Sequence, residues 1–182
     1  MPSLAVCAPT AGLRYLADHA DAACRAAMDE MPQRMAEGFA AVLGDTGLLP
    51  SAARVADPQR YKRHLLHADP LGRFSIVALV WGPGQFSPVH GHHAWCAYGV
   101  HAGLLAETSF SYDAAAGVAE PTGRVTRAAG AVSFAYAGLT DIHKLGNDGD
   151  NDALSIHIYG LDGARVGTHV NRVVTVAAAA LA

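Results

Sequence analysis

From Tyr61 onward the chain is a succession of short apolar runs broken by glycine and proline, and this pattern restricts the fold more than any other feature. The run FSIVALVW at 74–81 leads directly into Gly82, Pro83 and Gly84, a strong turn signal. Many short strands separated by regular turns close into a sandwich or a barrel. Residues 10–55 read differently. They are Ala-rich, and Leu13, Leu16, Ala20, Cys24, Ala27 and Met31 recur at spacings of three and four, the mark of one helical face. Pro32 and Pro50 divide this stretch into two or three short helices. There is no internal repeat and no low-complexity linker. The expectation is one mainly β domain over 1–182, with a mostly helical N-terminal layer over 1–58 and a sandwich or β-barrel over 59–182.

The 182 residues are 51% apolar and 16% charged, a composition that folds around a core. The formal net charge is −3 and no basic run stands out, which argues against a nucleic-acid partner. No stretch approaches the ~18–20 consecutive apolar residues of a membrane span. The opening MPSLAVCAPTAG lacks the charged leader and apolar core of a signal peptide. The apolar tail at 173–182 reads as a closing strand with a frayed end. Cys7, Cys24 and Cys96 form no CxxC and are odd in number, which suits a reducing cytoplasm better than a disulfide framework. Nothing in the sequence speaks to oligomeric state.

Ten histidines is a high count for this length, and His90, His92, His93 and His101 fall close together. On a strand, residues two apart point to one face, so His90 and His92 offer two imidazoles to one point while Gly91 faces away. Such a pair suits a metal, although ordinary histidines also occur at this spacing. The context narrows the reading. Gly84, His90, His92 and Gly103 keep the spacing of the first cupin motif, with Cys96 where that motif usually has Glu. His143 and Asn147 resemble the second motif, at a longer distance after Gly138. Without the Glu, three neutral imidazoles leave a divalent ion its full charge and open positions, which favours an anionic ligand such as a thiolate. Imidazoles alone do not separate iron from zinc, copper or nickel.

In the segment LSIHIY at 154–159, Leu154, Ile156 and Ile158 share one face and Ser155, His157 and Tyr159 the other. Three polar groups on a buried strand face need partners, and a chain of hydroxyl, imidazole and phenol supplies them internally. Together with the histidines, this strand resembles the thiol dioxygenases, the cysteine dioxygenase family of the cupins, from Tyr61 to Tyr159. The resemblance implies a cupin β-barrel, Fe(2+) held by His90, His92 and His143, and a Ser155–His157–Tyr159 relay. It implies that Arg63, with Tyr61, binds a substrate carboxylate. Arg165 is a second candidate anchor. Cys96 has two readings, a buried free thiol or a thioether partner of Tyr159 as in animal-type relatives. The residue after His90 is Gly91 where Asp is common, so a nearby carboxylate is missing.

The implied reaction is oxidation of a small carboxylated thiol by O2 to its sulfinic acid. Arg63 favours cysteine, with 3-mercaptopropionate and mercaptosuccinate as alternatives. The other classes are a non-catalytic cupin and a zinc or manganese cupin. Neither gives the Ser-His-Tyr strand an obvious role.

Overall fold

The computed structural model describes residues 9–177. The opening segment up to residue 8, with Cys7, and the last five residues of the apolar tail lie outside them.

Helix α1, Ala11–Ala23, begins at Thr10, whose side chain accepts from Leu13 N–H at 3.2 Å and donates to the Leu48 carbonyl at 2.7 Å. It presents Leu13, Leu16, Ala17 and Ala20 to the core. The helical face read from the sequence stops short of its expected end. Helix α1 finishes at Ala23, Ala27 is exposed, and Met31 opens helix α2, Met31–Val42. Pro32 stands at the start of α2, where its missing N–H has no helical acceptor to lose.

The strands are β1 Lys62–Ala68, β2 Ser75–Trp81, β3 His90–His92, β4 Cys96–Ala102, β5 Leu104–Asp113, β6 Val118–Ala128, β7 Val132–Ala135, β8 Gly138–Gly146, β9 Ala153–Tyr159, β10 Asn171–Val173 and β11 Thr175–Val176. One sheet runs β1-β2-β9-β4-β7 and the other β10-β3-β8-β5-β6-β11. They face each other as a nearly closed cupin-type barrel. This is the mainly β fold with an N-terminal helical layer expected from the sequence. The part of the tail that is described does form short closing strands, β10 against β3 and β11 against β6. No helix is long and apolar enough to cross a membrane among the described residues.

The helices cover the outer face of the first sheet. Leu16, Met35 and Phe39 pack there with Ile76, Ala78, Ala97, Ile156 and Ile158. The opposite face turns Val77, Leu79, Trp81, Cys96, Tyr98 and Tyr159 into the barrel. Covered on both sides, β2 is buried at every position, which is why its sequence is a continuous apolar run and not an alternation. Burying a side chain such as Ile76 or Leu79 contributes about 1.5–3 kcal/mol. Gly99 lets α2 approach, since a Cβ there would lie 2.7 Å from Leu43 Cδ1 and 2.9 Å from Phe39 Cδ1. His101 reinforces this contact through Nδ1, 3.1 Å from the Leu43 carbonyl. Arg73 ties α1 to the β1–β2 turn by reaching both Asp21 and Asp69.

Candidate metal centre

His90 and His92 lie on β3, and His143 lies opposite His90 on the antiparallel strand β8. Between the His90–His143 and His92–Gly138 pairs the register slips, so β8 spends more residues than β3 over the same length. This irregularity absorbs the long spacing between Gly138 and His143. Gly91 permits the close approach, since a Cβ there would fall 2.2 Å from the Gly138 carbonyl oxygen.

The three rings converge. Their centroids are 4.8–5.1 Å apart, and one nitrogen of each lies within 4.8 Å of the others. All three side chains are buried. Burial, with the neighbouring His143, pulls His90 down to about 3 and His92 to about 2. These rings are neutral near pH 7, with lone pairs free for a cation. His90 Nδ1 lies 2.9 Å from the Pro88 carbonyl, which only accepts, so that nitrogen carries the proton. His143 Nδ1 donates in the same way to Glu107 Oε1 at 2.7 Å. The neutral His90 ring therefore keeps Nε2 unprotonated, and the Glu107 contact leaves Nε2 as the remaining nitrogen of His143. His92 Nδ1 is buried without a hydrogen-bond partner, a deficit that a cation coordinated at that nitrogen would offset. Three converging imidazoles, two of them held at Nδ1 by an acceptor, fit a divalent transition metal.

Glu107 was not legible as part of the site. The carboxylate missing beside His90 comes instead from β5, next to His143. Burial alone would raise the Glu107 carboxyl, but bonds from His143 and Arg127 outweigh it and hold it at about 2. The one sequence signal is its strand position, two residues from the buried Leu105 and therefore on the same face.

A narrow cavity beside the triad is also lined by Tyr61, Arg63, Trp81, His157 and Tyr159. The Arg63 guanidinium sits 5.2 Å from the Tyr61 ring centroid and donates to Tyr61 Oη at 3.1 Å, while its Nε is buried with no partner. Tyr61 in turn stacks on Trp81 at 4.5 Å. Asn147 fastens Trp81 from outside, its Nδ2 donating to the Trp81 carbonyl at 2.8 Å.

On β9 the inward residues are Ser155, His157 and Tyr159, all buried. Trp81 Nε1–H donates to Ser155 Oγ at 2.9 Å, leaving the hydroxyl hydrogen for His157 Nε2 at 2.8 Å. The expected hydrogen-bond chain stops there. His157 meets Tyr159 by ring stacking, with centroids 5.6 Å apart and planes at 26°. Side chains two apart on a strand project in parallel, so two flat rings stack. His157 also stacks on Tyr98, at 5.2 Å. Burial, helped by His143 and Arg63, keeps His157 neutral. Burial, and the neighbouring Cys96, raise the Tyr159 phenol well above its ordinary value, so it remains an O–H donor. Cys96 lies directly opposite Tyr159 in the β4–β9 register as a buried free thiol, its pKa raised mainly by burial.

Arg165 is not brought to this cavity. It ends a 3-10 turn, Gly163–Arg165, that Asp162 caps through Ala164 N–H at 2.8 Å. Val166 packs inward from this turn and leaves Arg165 exposed. His93 is also exposed.

Solved structures of similar fold include the following three. One is an uncharacterised Klebsiella pneumoniae protein with a double-stranded beta-helix domain, at 14% identity over 65% of this chain and 88% of that one, TM-score 0.49. Another is TT1209 from Thermus thermophilus, at 19% identity over 62% and 96%, TM-score 0.48. The third is a cupin superfamily protein from Desulfitobacterium hafniense, at 15% identity over 65% and 94%, TM-score 0.45. The sequence itself matches the family Cysteine dioxygenase type I over residues 51–162, a span that carries all three converging histidines, Arg63 and the polar face of β9. With more than half of its length in that match, the chain belongs to the cysteine dioxygenase type I family of cupin thiol dioxygenases.

Proposed function

We propose that this protein is an iron(II)-dependent thiol dioxygenase that oxidises a small carboxylated thiol, cysteine in first place, to its sulfinic acid with O2. The observation that carries this reading is one cavity bordered by three buried, converging histidines, the Arg63 guanidinium and the Tyr159 phenol. His90, His92 and His143 would hold the ion. A bound ferrous ion supplies a common site for thiolate and O2 and the electron flow that joins them. Thiol and O2 combine to sulfinic acid with both oxygen atoms on sulfur, so no further reductant is needed.

The chain's own residues orient and enclose the reactants. Arg63 binds the substrate carboxylate. Its partnerless Nε supports this role, because a buried cationic donor left unpaired is costly and a carboxylate relieves that cost. Tyr61 holds the guanidinium in place. The Tyr159 hydroxyl donates a hydrogen bond to the oxygen transferred to sulfur. Trp81, Ser155 and His157 fix the neighbouring ring and keep water from this wall. Juxtaposing the reacting groups supplies proximity. The thioether between Cys96 and Tyr159 belongs to this proposal, as does a reducing cytoplasmic setting.

The test is anaerobic purification with metal analysis, followed by O2 uptake with cysteine, 3-mercaptopropionate and mercaptosuccinate. Uptake with cysteine, matched by sulfinate formation and lost together with iron in His143→Ala, is the expected result. Turnover that survives iron removal, or no O2 uptake with any of these thiols, rejects the proposal. Preference for another acid of the panel reassigns the substrate alone.

A further inference from the structure

We propose that Arg127 is a positioning residue for the metal centre, acting through Glu107 on His143. This rests on the reading of the three histidines as ligands of iron. Arg127 lies on β6, and its Nε and an Nη both reach Glu107 Oε2, at 2.8 and 2.7 Å. The other carboxylate oxygen accepts the His143 Nδ1 proton at 2.7 Å. Each oxygen thus has its own partner, and the carboxylate plane is held from both ends. Glu107 is buried, whereas the Arg127 side chain is 34% exposed. Arg127 is therefore where this chain of contacts reaches a second cavity, lined by Thr122, Ser133 and Thr140 and sharing His92 and His143 with the first.

The chemistry follows from charge. A carboxylate on the far nitrogen of a ligating imidazole pulls on its proton and makes the ring a stronger donor. A guanidinium on the other carboxylate oxygen draws charge back and restrains that effect. Arg127 then sets how much donor strength Glu107 passes to His143, and so the balance between the ferrous and ferric states. It also accounts for an arginine on this wall of the barrel, away from the cavity that holds Arg63.

The experiment measures the midpoint potential of the iron-loaded protein without thiol. Arg127→Met is expected to lower the potential and Glu107→Gln to raise it. In the Glu107→Gln background the Arg127 change should lose most of its effect, because the two act in series. Arg127→Lys, which keeps the charge, should return most of the wild-type value. A general loosening of the barrel would not give opposite signs for the two variants. A wild-type potential in Arg127→Met, or an undiminished effect of Arg127 without Glu107, overturns the inference. Should Arg127→Met fail to fold, Glu107→Gln decides, and an unchanged or lowered potential there overturns it. A wild-type protein that binds no iron defeats the metal reading as well, whereas normal iron binding with no effect of Arg127 defeats this inference alone.

Discussion

Cys96 and Tyr159 stand directly opposite each other across the β4–β9 pair, both turned into the barrel. Opposed residues on one face of an antiparallel pair have Cβ atoms about 4.5–5.5 Å apart, close enough for a thiol to reach an aromatic ring. Repeated turnover with iron, thiol and O2 is expected to join them as a thioether, with loss of two hydrogen atoms and O2 as the oxidant. Peptide mass spectrometry checks this. Wild-type protein should yield one linked peptide pair, and Cys96→Ala none. Separate peptides after prolonged turnover would leave Cys96 as a buried free thiol.

Arg63→Ala removes a charged donor pair from the cavity. Hydrogen bonds to charged groups contribute about 1.5–3 kcal/mol, so KM for cysteine should rise about 10- to 100-fold with a smaller change in kcat. A thiol of similar size without a carboxylate should be nearly indifferent to the change. Steady-state O2 uptake with both thiols separates loss of the anchor from general damage to the site.

Gly91→Ala tests the close passage of β3 and β8. The new Cβ would meet the Gly138 carbonyl oxygen at 2.2 Å, and backbone on both sides has little room to yield. Overpacking of this kind costs about 1–3 kcal/mol. Because His90 and His92 flank the position, iron content should fall along with the denaturation midpoint. Stability and metal loading both at wild-type level would mean that this strand pair opens readily.

Acid should destabilise the metal-free protein. Folding lowers His90 and His92 from 6.5 to about 3 and about 2, so the unfolded chain binds more protons than the folded one between those values. Stability is therefore complete above pH 6.5 and falls as pH drops toward 3. Its slope from this pair is at most about 2.7 kcal/mol per pH unit. Urea denaturation of metal-free protein across this range measures the slope. His92→Phe should reduce it, provided that the variant folds.

Local periodicity made much of this protein legible in its sequence. A strand alternates its faces whatever lies around it, so the sequence alone aligned His90 with His92 and Ser155 with His157 and Tyr159. The glycine and proline turns in turn announced a sandwich or a barrel, and the histidine motifs favoured the barrel. The helical face was legible only as far as Ala23, because spacing does not reveal where a helix gives way to a turn. What β2 packs against, and hence why it shows no alternation, was equally hidden.

The sequence by itself determined the barrel, its helical layer and which residues share a strand face, because these depend on neighbours along the chain. Only the tertiary structure decided which faces meet. It brought His143 against His90 across an irregular register, Cys96 against Tyr159, and Trp81 onto Ser155. It turned Arg165 outward and supplied Glu107 and Arg127 to His143 from strands that nothing in the local pattern links to it. Those pairings are set by strand register and the packing of two sheets, contacts between residues far apart in the chain.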